Sequence, residues 1–257
     1  MRDWLIVARR NRPLQQRARA PRSGCLLALA ALVVGLAYVA TNVARTAQRS
    51  SSYPAYWQAR LSEPAPANAL RLVALGDSSV QAIGADDPMD GYVGRIANYL
   101  NVTTGHPVHI ANVSSGSDTA SIARDQLPRV NLASADLVIV ADSNDLESRV
   151  PLDRYRGDLR TLMALLPPDR TIYSDLPLMP GRQPYQRVLA EIADAHGIAR
   201  ADFAGIFSRE GRRLDIFSWL PPHLNSRGYG YWFKAFQPQV DVVLRRMPRQ
   251  PTSGPTR

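Results

Sequence analysis

Ala135-Asp-Leu-Val-Ile-Val-Ala141, followed at once by Asp142-Ser143-Asn144-Asp145, is the stretch from which the fold of this 257-residue chain is read. Leu137 to Ala141 is apolar throughout and rich in β-branched side chains, without the alternation of a half-exposed strand. Such a run is buried on both faces, as in a parallel sheet covered by helices. The abrupt change to Asp-Ser-Asn-Asp ends the strand in a polar loop.

Outward from this strand the same pattern recurs. Leu70–Leu75, Val108–Val113 and Thr171–Leu176 are short apolar runs that read as strands, and Ile198–Phe207 reads as a final strand region. Between them lie segments of helical period. Gly91–Leu100 places Tyr92, Val93, Ile96 and Leu100 on one face, and Arg154–Leu166 repeats apolar residues before Pro167-Pro168. Ser121–Val130 is a short helix interrupted by Pro128, Gln186–His196 is closed by Gly197, and Tyr229–Arg245 is the closing helix. Alternation of strand and helix without internal repeats predicts an α/β fold, a central parallel sheet with helices on both faces.

In such sheets functional groups gather at the carboxyl ends of the strands. The first strand ends in Gly76-Asp77-Ser78-Ser79, the second in Asn112-Val113-Ser114-Ser115-Gly116, and the third in Asp142-Ser143-Asn144-Asp145. Pro222-His223-Leu224-Asn225 precedes the closing helix. A Ser, a Gly, an Asn and a His thus come from four loops at one sheet edge. Serine acyl transfer needs these residue types. A hydroxyl is a weak nucleophile until a base such as imidazole takes its proton. The tetrahedral oxyanion needs N–H donors already aimed at it. Each residue also has a plain structural use alone: Ser78 and Asn144 as caps or turn residues, Gly116 for backbone geometry, His223 as a surface side chain. Their joint occurrence at one edge favours chemistry.

These four blocks, in this order from Leu70 to Ala235, resemble the SGNH (GDSL-type) hydrolases, in particular membrane-anchored actinobacterial members. Gly76-Asp77-Ser78 running on to Gly84-Ala85 and Gly91-Tyr92-Val93 is similar to the family's first block. Asn112 to Gly116 with Asp125-Gln126-Leu127-Pro128 is similar to the second. The resemblance implies a three-layer α/β/α sandwich of flavodoxin-like kind with about five parallel strands. It implies Ser78 as nucleophile and His223 as general base. The Ser78 and Gly116 N–H groups and the Asn144 side chain would form the oxyanion hole. The implied activity is that of a serine esterase, hydrolysing or transferring acyl groups, with no cofactor and no metal. Small-molecule, glycan and lipid esters all remain open as substrates. The alternative is a catalytically degenerate module that binds glycan or lipid.

Two positions depart from the family pattern. Leu220 stands where the family has the acid that orients the histidine, and Asp142 stands where it has Gly. A backbone carbonyl in the Trp219–Pro222 segment, or Asp215, would have to replace the acid. An anion at Asp142 beside Asn144 would oppose the transition-state charge.

Gly24 to Ala44 is an apolar stretch, polar only towards its end at Thr41 and Asn42, long enough to cross a bilayer and longer than a secretory signal core. Arg2, Arg9, Arg10, Arg12, Arg17, Arg19 and Arg22 precede it against the single Asp3, which places +6 of the net +9 before the span. Positive charge is retained in the cytoplasm, so the later residues are expected outside. A cleaved signal peptide is the rival reading. The remaining 24 basic and 21 acidic side chains leave only +3 on the rest of the chain, which argues against a nucleic-acid partner. Cys25 is the only cysteine, so the exported part has no disulfide and no thiol nucleophile. The expected organisation is a basic cytoplasmic tail (1–23), a transmembrane signal-anchor (24–44), a linker (45–68), the hydrolase domain (69–246) and a disordered tail (247–257). Asp86, Asp87 and Asp90, with Asp77, lack the spacing of a calcium loop and read as a solvated acidic loop.

Overall fold

A computed structural model describes residues 22–116, 118–210 and 214–247, with side chains from residue 27 onward except Leu214. The chain divides into two compact units between Thr41 and Asn42. Helix α1 (Arg22–Ser50) supplies all of the first unit that is described. Among the described residues it is the one helix long and apolar enough to cross a membrane. Leu27, Leu29, Leu32, Val33, Val34 and Leu36 are all exposed on it.

The second unit is built on a five-stranded parallel sheet: β1 (Leu70–Gly76), β2 (Val108–Asn112), β3 (Leu137–Ala141), β4 (Thr171–Ser174) and β5 (Ala199–Ala201), in the order β2-β1-β3-β4-β5. Strand β3 is buried at every residue, which is why it carries no polar alternation. Successive side chains feed two separate cores. Leu72, Ala74, Leu137, Ile139 and Ile172 face one, and Val73, Leu75, Val138, Val140 and Tyr173 face the other. The first core is closed by α3 (Tyr92–Thr104), α8 (Phe203–Glu210) and α9 (Ser226–Arg246), the second by α6 (Leu152–Ala164) and α7 (Arg182–Ala195). Aromatic rings dominate the first: Trp232 stacks on Phe203 at 4.3 Å between centroids and lies 4.9 Å from Tyr92. Each such side chain contributes roughly 1.5–3 kcal/mol by leaving water.

Two segments differ from the sequence reading. Of Ile198–Phe207 only Ala199–Ala201 pairs as a strand. Asp202 then turns the chain, its Oδ1 accepting the Gly205 N–H at 2.7 Å, and Phe203–Glu210 is helical with Phe203 and Ala204 buried. Helix α9 begins at Ser226 rather than Tyr229, because the Asn225 side chain accepts the Arg227 and Gly228 N–H groups as an N-cap. Within the 45–68 stretch, Tyr53–Leu61, whose sequence allows a short helix, forms α2, and both Tyr53 and Trp57 are buried. Tyr53 Oη donates to the Ala85 carbonyl at 2.8 Å and Trp57 Nε1 to the Gln81 carbonyl at 3.0 Å. The two aromatics therefore fasten this segment to the loop after Ser78. The remaining helices are short: α4 (Thr119–Ser121), which continues through π- and 3₁₀-turns to Arg129 around Pro128, and α5 (Asn144–Glu147). Of the two terminal tails, only Arg22, Ser23 and Met247 fall within the described residues.

The flavodoxin-like strand order reverses direction between β1 and β3, and a crevice opens at their carboxyl ends. Gly76, at the end of β1, has φ +136°. A Cβ there would lie 1.8 Å from the Ala141 carbonyl oxygen, so glycine is what allows the two strand ends to approach.

Candidate active site

The loop after β1 is held on both sides by side chains from its neighbours. Asp77 Oδ1 accepts the Ser79 N–H at 2.8 Å, and its Oδ2 accepts both the N–H and the hydroxyl of Ser143, each at 2.9 Å. Gln126 acts as a backbone mimic on Gly76. Its Oε1 accepts the Gly76 N–H and its Nε2 donates to the Gly76 carbonyl, both at 2.8 Å. Ser78 is thereby fixed half-buried at the crevice.

His223 comes from a tight loop that leads into α9. Phe217 and Leu224 form an antiparallel bridge, the Ser218 N–H donates to the His223 carbonyl at 2.9 Å, and the Asn225 N–H donates to the Ile216 carbonyl at 2.9 Å. Inside the loop the His223 N–H and its Nδ1 both reach the Leu220 carbonyl oxygen, at 2.9 and 3.0 Å. A carbonyl only accepts, so Nδ1 carries a hydrogen and the neutral ring leaves Nε2 free to accept. His223 Nε2 lies 2.9 Å from Ser78 Oγ, across 145 residues of sequence. The Leu220 carbonyl thus contacts the ring nitrogen opposite the one that meets Ser78. Asp215 is engaged elsewhere, its carboxylate paired with the Arg227 guanidinium.

The loops bearing Gly116 and Asn144 reach the same edge. The Ser115 N–H donates to the Gly76 carbonyl at 3.0 Å, and Ser143 is tied to Asp77 as described above. Among the described residues, neither the Ser78 nor the Gly116 N–H meets an acceptor. Asn144 opens α5, its N–H donating to Asp142 Oδ1 at 2.9 Å. Asp142 is buried, and its Oδ2 lies 2.9 Å from Thr119 Oγ1. The same hydroxyl lies 2.7 Å from Asp145 Oδ2, which also accepts the Thr119 N–H at 2.8 Å. Burial, followed by the nearby Asp77 and Asp145 carboxylates, pushes the Asp142 carboxyl well above the usual range.

Ser78 and His223 open onto a cavity of about 300 Å³ walled mainly by Leu178, Met179, Phe203, Phe207, Phe217 and Trp232. Leu178 and Met179 lie on the loop after β4, Phe203 and Phe207 on α8. Sequence reasoning did not find this wall, because Phe203 and Phe207 were assigned to a strand. Nor did it assign roles to Asp77, Thr119 or Gln126, although Asp77 and Gln126 fell within quoted motifs. The acidic loop is accounted for by local contacts. Asp86 pairs with Arg49, Asp87 caps a turn by accepting the Met89 N–H, and Asp90 accepts from Ser226 Oγ.

A fold of this topology with a Ser–His pair at the β1/β3 crevice defines the class. The GDSL-like lipase/acylhydrolase family matches residues 74–231, and the chain belongs to that family. No match was found among curated proteins. Solved structures of similar fold include a lipase/acylhydrolase from Enterococcus faecalis, 18% identical, covering 71% of this chain and 100% of that one with a TM-score of 0.57. The psychrotrophic esterase EstA from Pseudoalteromonas sp. is 14% identical, covers 68% and 99%, and has a TM-score of 0.56. A family 3 carbohydrate esterase from Clostridium thermocellum is 17% identical, covers 69% and 98%, and has a TM-score of 0.53. At these identities the likeness establishes the shared fold.

Proposed function

We propose that this hydrolase is a serine esterase in which Ser78 is the nucleophile and His223 the general base. The observation that carries the reading is the 2.9 Å Ser78–His223 contact, with the opposite ring nitrogen held by the Leu220 carbonyl. In the cycle, Nε2 takes the Ser78 proton as Oγ attacks the ester carbonyl. The imidazolium then gives that proton to the leaving alkoxide, and water resolves the acyl-enzyme by the same route in reverse. The Ser78 and Gly116 N–H groups and the Asn144 side chain are the proposed oxyanion donors, each worth about 10²–10³ in kcat where such donors have been removed. Leu220 supplies an oriented dipole in place of a carboxylate. It fixes the tautomer, but stabilises the imidazolium less than an anion does.

The apolar cavity beside Ser78 suits the acyl chain of the ester. Burying a methylene contributes about 0.8 kcal/mol, so kcat/KM is expected to rise about fourfold per added carbon until the wall at Phe207 and Met179 is reached, then fall. Residues 42–257, the second compact unit, assayed on a series of ester chain lengths with Ser78→Ala as control, test this directly. Fluorophosphonate labelling of wild type and its loss in Ser78→Ala are expected. Folded wild type that neither labels nor hydrolyses any ester would overturn the assignment in favour of a binding module.

A further inference from the structure

Thr119 Oγ1 carries one hydrogen yet lies within hydrogen-bonding distance of two carboxyl oxygens, Asp142 Oδ2 at 2.9 Å and Asp145 Oδ2 at 2.7 Å. One of those contacts must draw its hydrogen from a carboxyl group. Asp145 Oδ2 already accepts the Thr119 N–H as well, whereas Asp142, which also meets the Asp145 carboxyl, receives no N–H at Oδ2 among the described residues. The other Asp142 oxygen accepts the Asn144 N–H. The hydrogen therefore belongs on Asp142 Oδ2. We propose that Asp142 is a positioning residue which, as a neutral carboxylic acid, donates to Thr119 Oγ1 and clamps the loop that carries Gly116 to the loop that carries Asn144. This rests on the esterase reading above, since both loops bear its oxyanion donors. Thr119 follows Gly116 by three residues and Asp142 precedes Asn144 by two.

The surroundings support the protonated state. Asp77 from the end of β1, Asp145 from α5, Tyr155 from α6, Tyr173 from β4 and Tyr92 from α3 interact electrostatically with Asp142, while Asp118 and Asp158 interact with each other and Asp158 with Asp145. Among the described residues no cation pairs with Asp77, Asp142 or Asp145; Arg154 reaches Asp118 and Asp158 instead. Burial and these carboxylates raise the Asp142 carboxyl. In its neutral form the aspartate in place of glycine puts no negative charge beside Asn144. It adds a cross-link between two loops that a glycine could not make.

The clamp predicts a defined dependence on pH. The folded state keeps a proton that the unfolded chain releases above about pH 4, so wild-type stability falls as pH rises from there until the folded carboxyl also ionises. Asp142→Asn keeps both hydrogen bonds, with its amide donating to Thr119 and its carbonyl accepting from Asn144, and has no proton to release. Thermal unfolding of the full chain and of Asp142→Asn in detergent, measured between about pH 4 and 9, should start close together and separate with rising pH, the variant melting higher. Ester hydrolysis supplies the second reading. Asp142→Ala should lower kcat about 10–100-fold with KM nearly unchanged, the amide should restore it, and the alkaline loss of wild-type kcat should be absent from Asp142→Asn. Parallel melting curves across the range overturn the proposal, as does an amide variant as impaired as the alanine. If Asp142→Ala fails to fold, the melting comparison decides alone. Melting curves that separate in a protein with no esterase activity would sink the esterase reading and leave the clamp standing.

Discussion

At the scale of single residues, Ser78 and His223 could be singled out because a proposed nucleophile and its base must be particular side chains, and the two meet at 2.9 Å. The orienting group was legible only as a gap. Leu220 announced that the acid was missing, but a main-chain carbonyl leaves no trace in a pattern of side chains. The same holds for Thr119, whose importance comes from two carboxyl groups that fold around it, and for Gln126, which pairs with backbone atoms of Gly76. The assignment of the Leu220 carbonyl makes a prediction about the nearest spare carboxylate. Asp215 is half-exposed and paired with Arg227, so Asp215→Asn should leave kcat within about twofold and cost about 1 kcal/mol or less of stability. Steady-state kinetics would show otherwise if kcat fell by more than about 10³-fold, which would make Asp215 the group that orients His223.

At the scale of elements, the helices and strands that cover the sheet were readable because each buries one clear periodicity. The exception was Ile198–Phe207. A short apolar run followed by an apolar helix has no period to separate the two, and the switch rests on one capping residue, Asp202. That misreading also hid the cavity wall, since Phe203 and Phe207 line it only when helical. The start of α9 depends on Asn225 in the same way. Its Oδ1 caps the helix while its Nδ2 donates to the Asp215 and Phe217 carbonyls at 2.6 and 3.1 Å, so one side chain joins the helix to the loop that presents His223. Asn225→Ala should therefore destabilise the protein by about 1–2 kcal/mol, or about 2–8 °C in melting temperature. Activity should fall mainly in kcat, because the histidine loses its placement while the acyl cavity stays intact. A variant that melts lower but turns over normally would separate cap from catalysis.

At the scale of the molecule, the apolar stretch and its arginine flank point to an anchor ahead of a separate domain, and the chain divides into two compact units between Thr41 and Asn42. The compact unit begins at Asn42, because Thr46, Ser50, Tyr53 and Trp57 are buried in it and Ser50 Oγ accepts the Gly84 N–H at 3.1 Å. Nothing in the polar Gln48–Ser52 sequence advertises those contacts. We infer that α1 anchors the chain with its arginine-rich end in the cytoplasm. The full chain should stay with membranes through an alkaline wash, and residues 42–257 should be released. Mature protein beginning between residues 38 and 45 would show instead that the segment is a cleaved signal. Most of the net positive charge, +5 of +9, lies in the sequence before α1, and the sheet edge that holds Ser78 is built from uncharged donors and buried acids.

The carbonyl of Leu220 has one more implication. Genetic substitution changes side chains, and this oxygen is not part of one. An alanine scan from Asp215 to Pro222 will find no third member of the catalytic set, however much the histidine depends on it. Only backbone chemistry can address it: an α-hydroxy acid in place of Pro221 turns that amide into an ester, a poorer acceptor. A function lodged in the main chain is shielded from loss by ordinary point mutation, which leaves the side chain at position 220 free to vary.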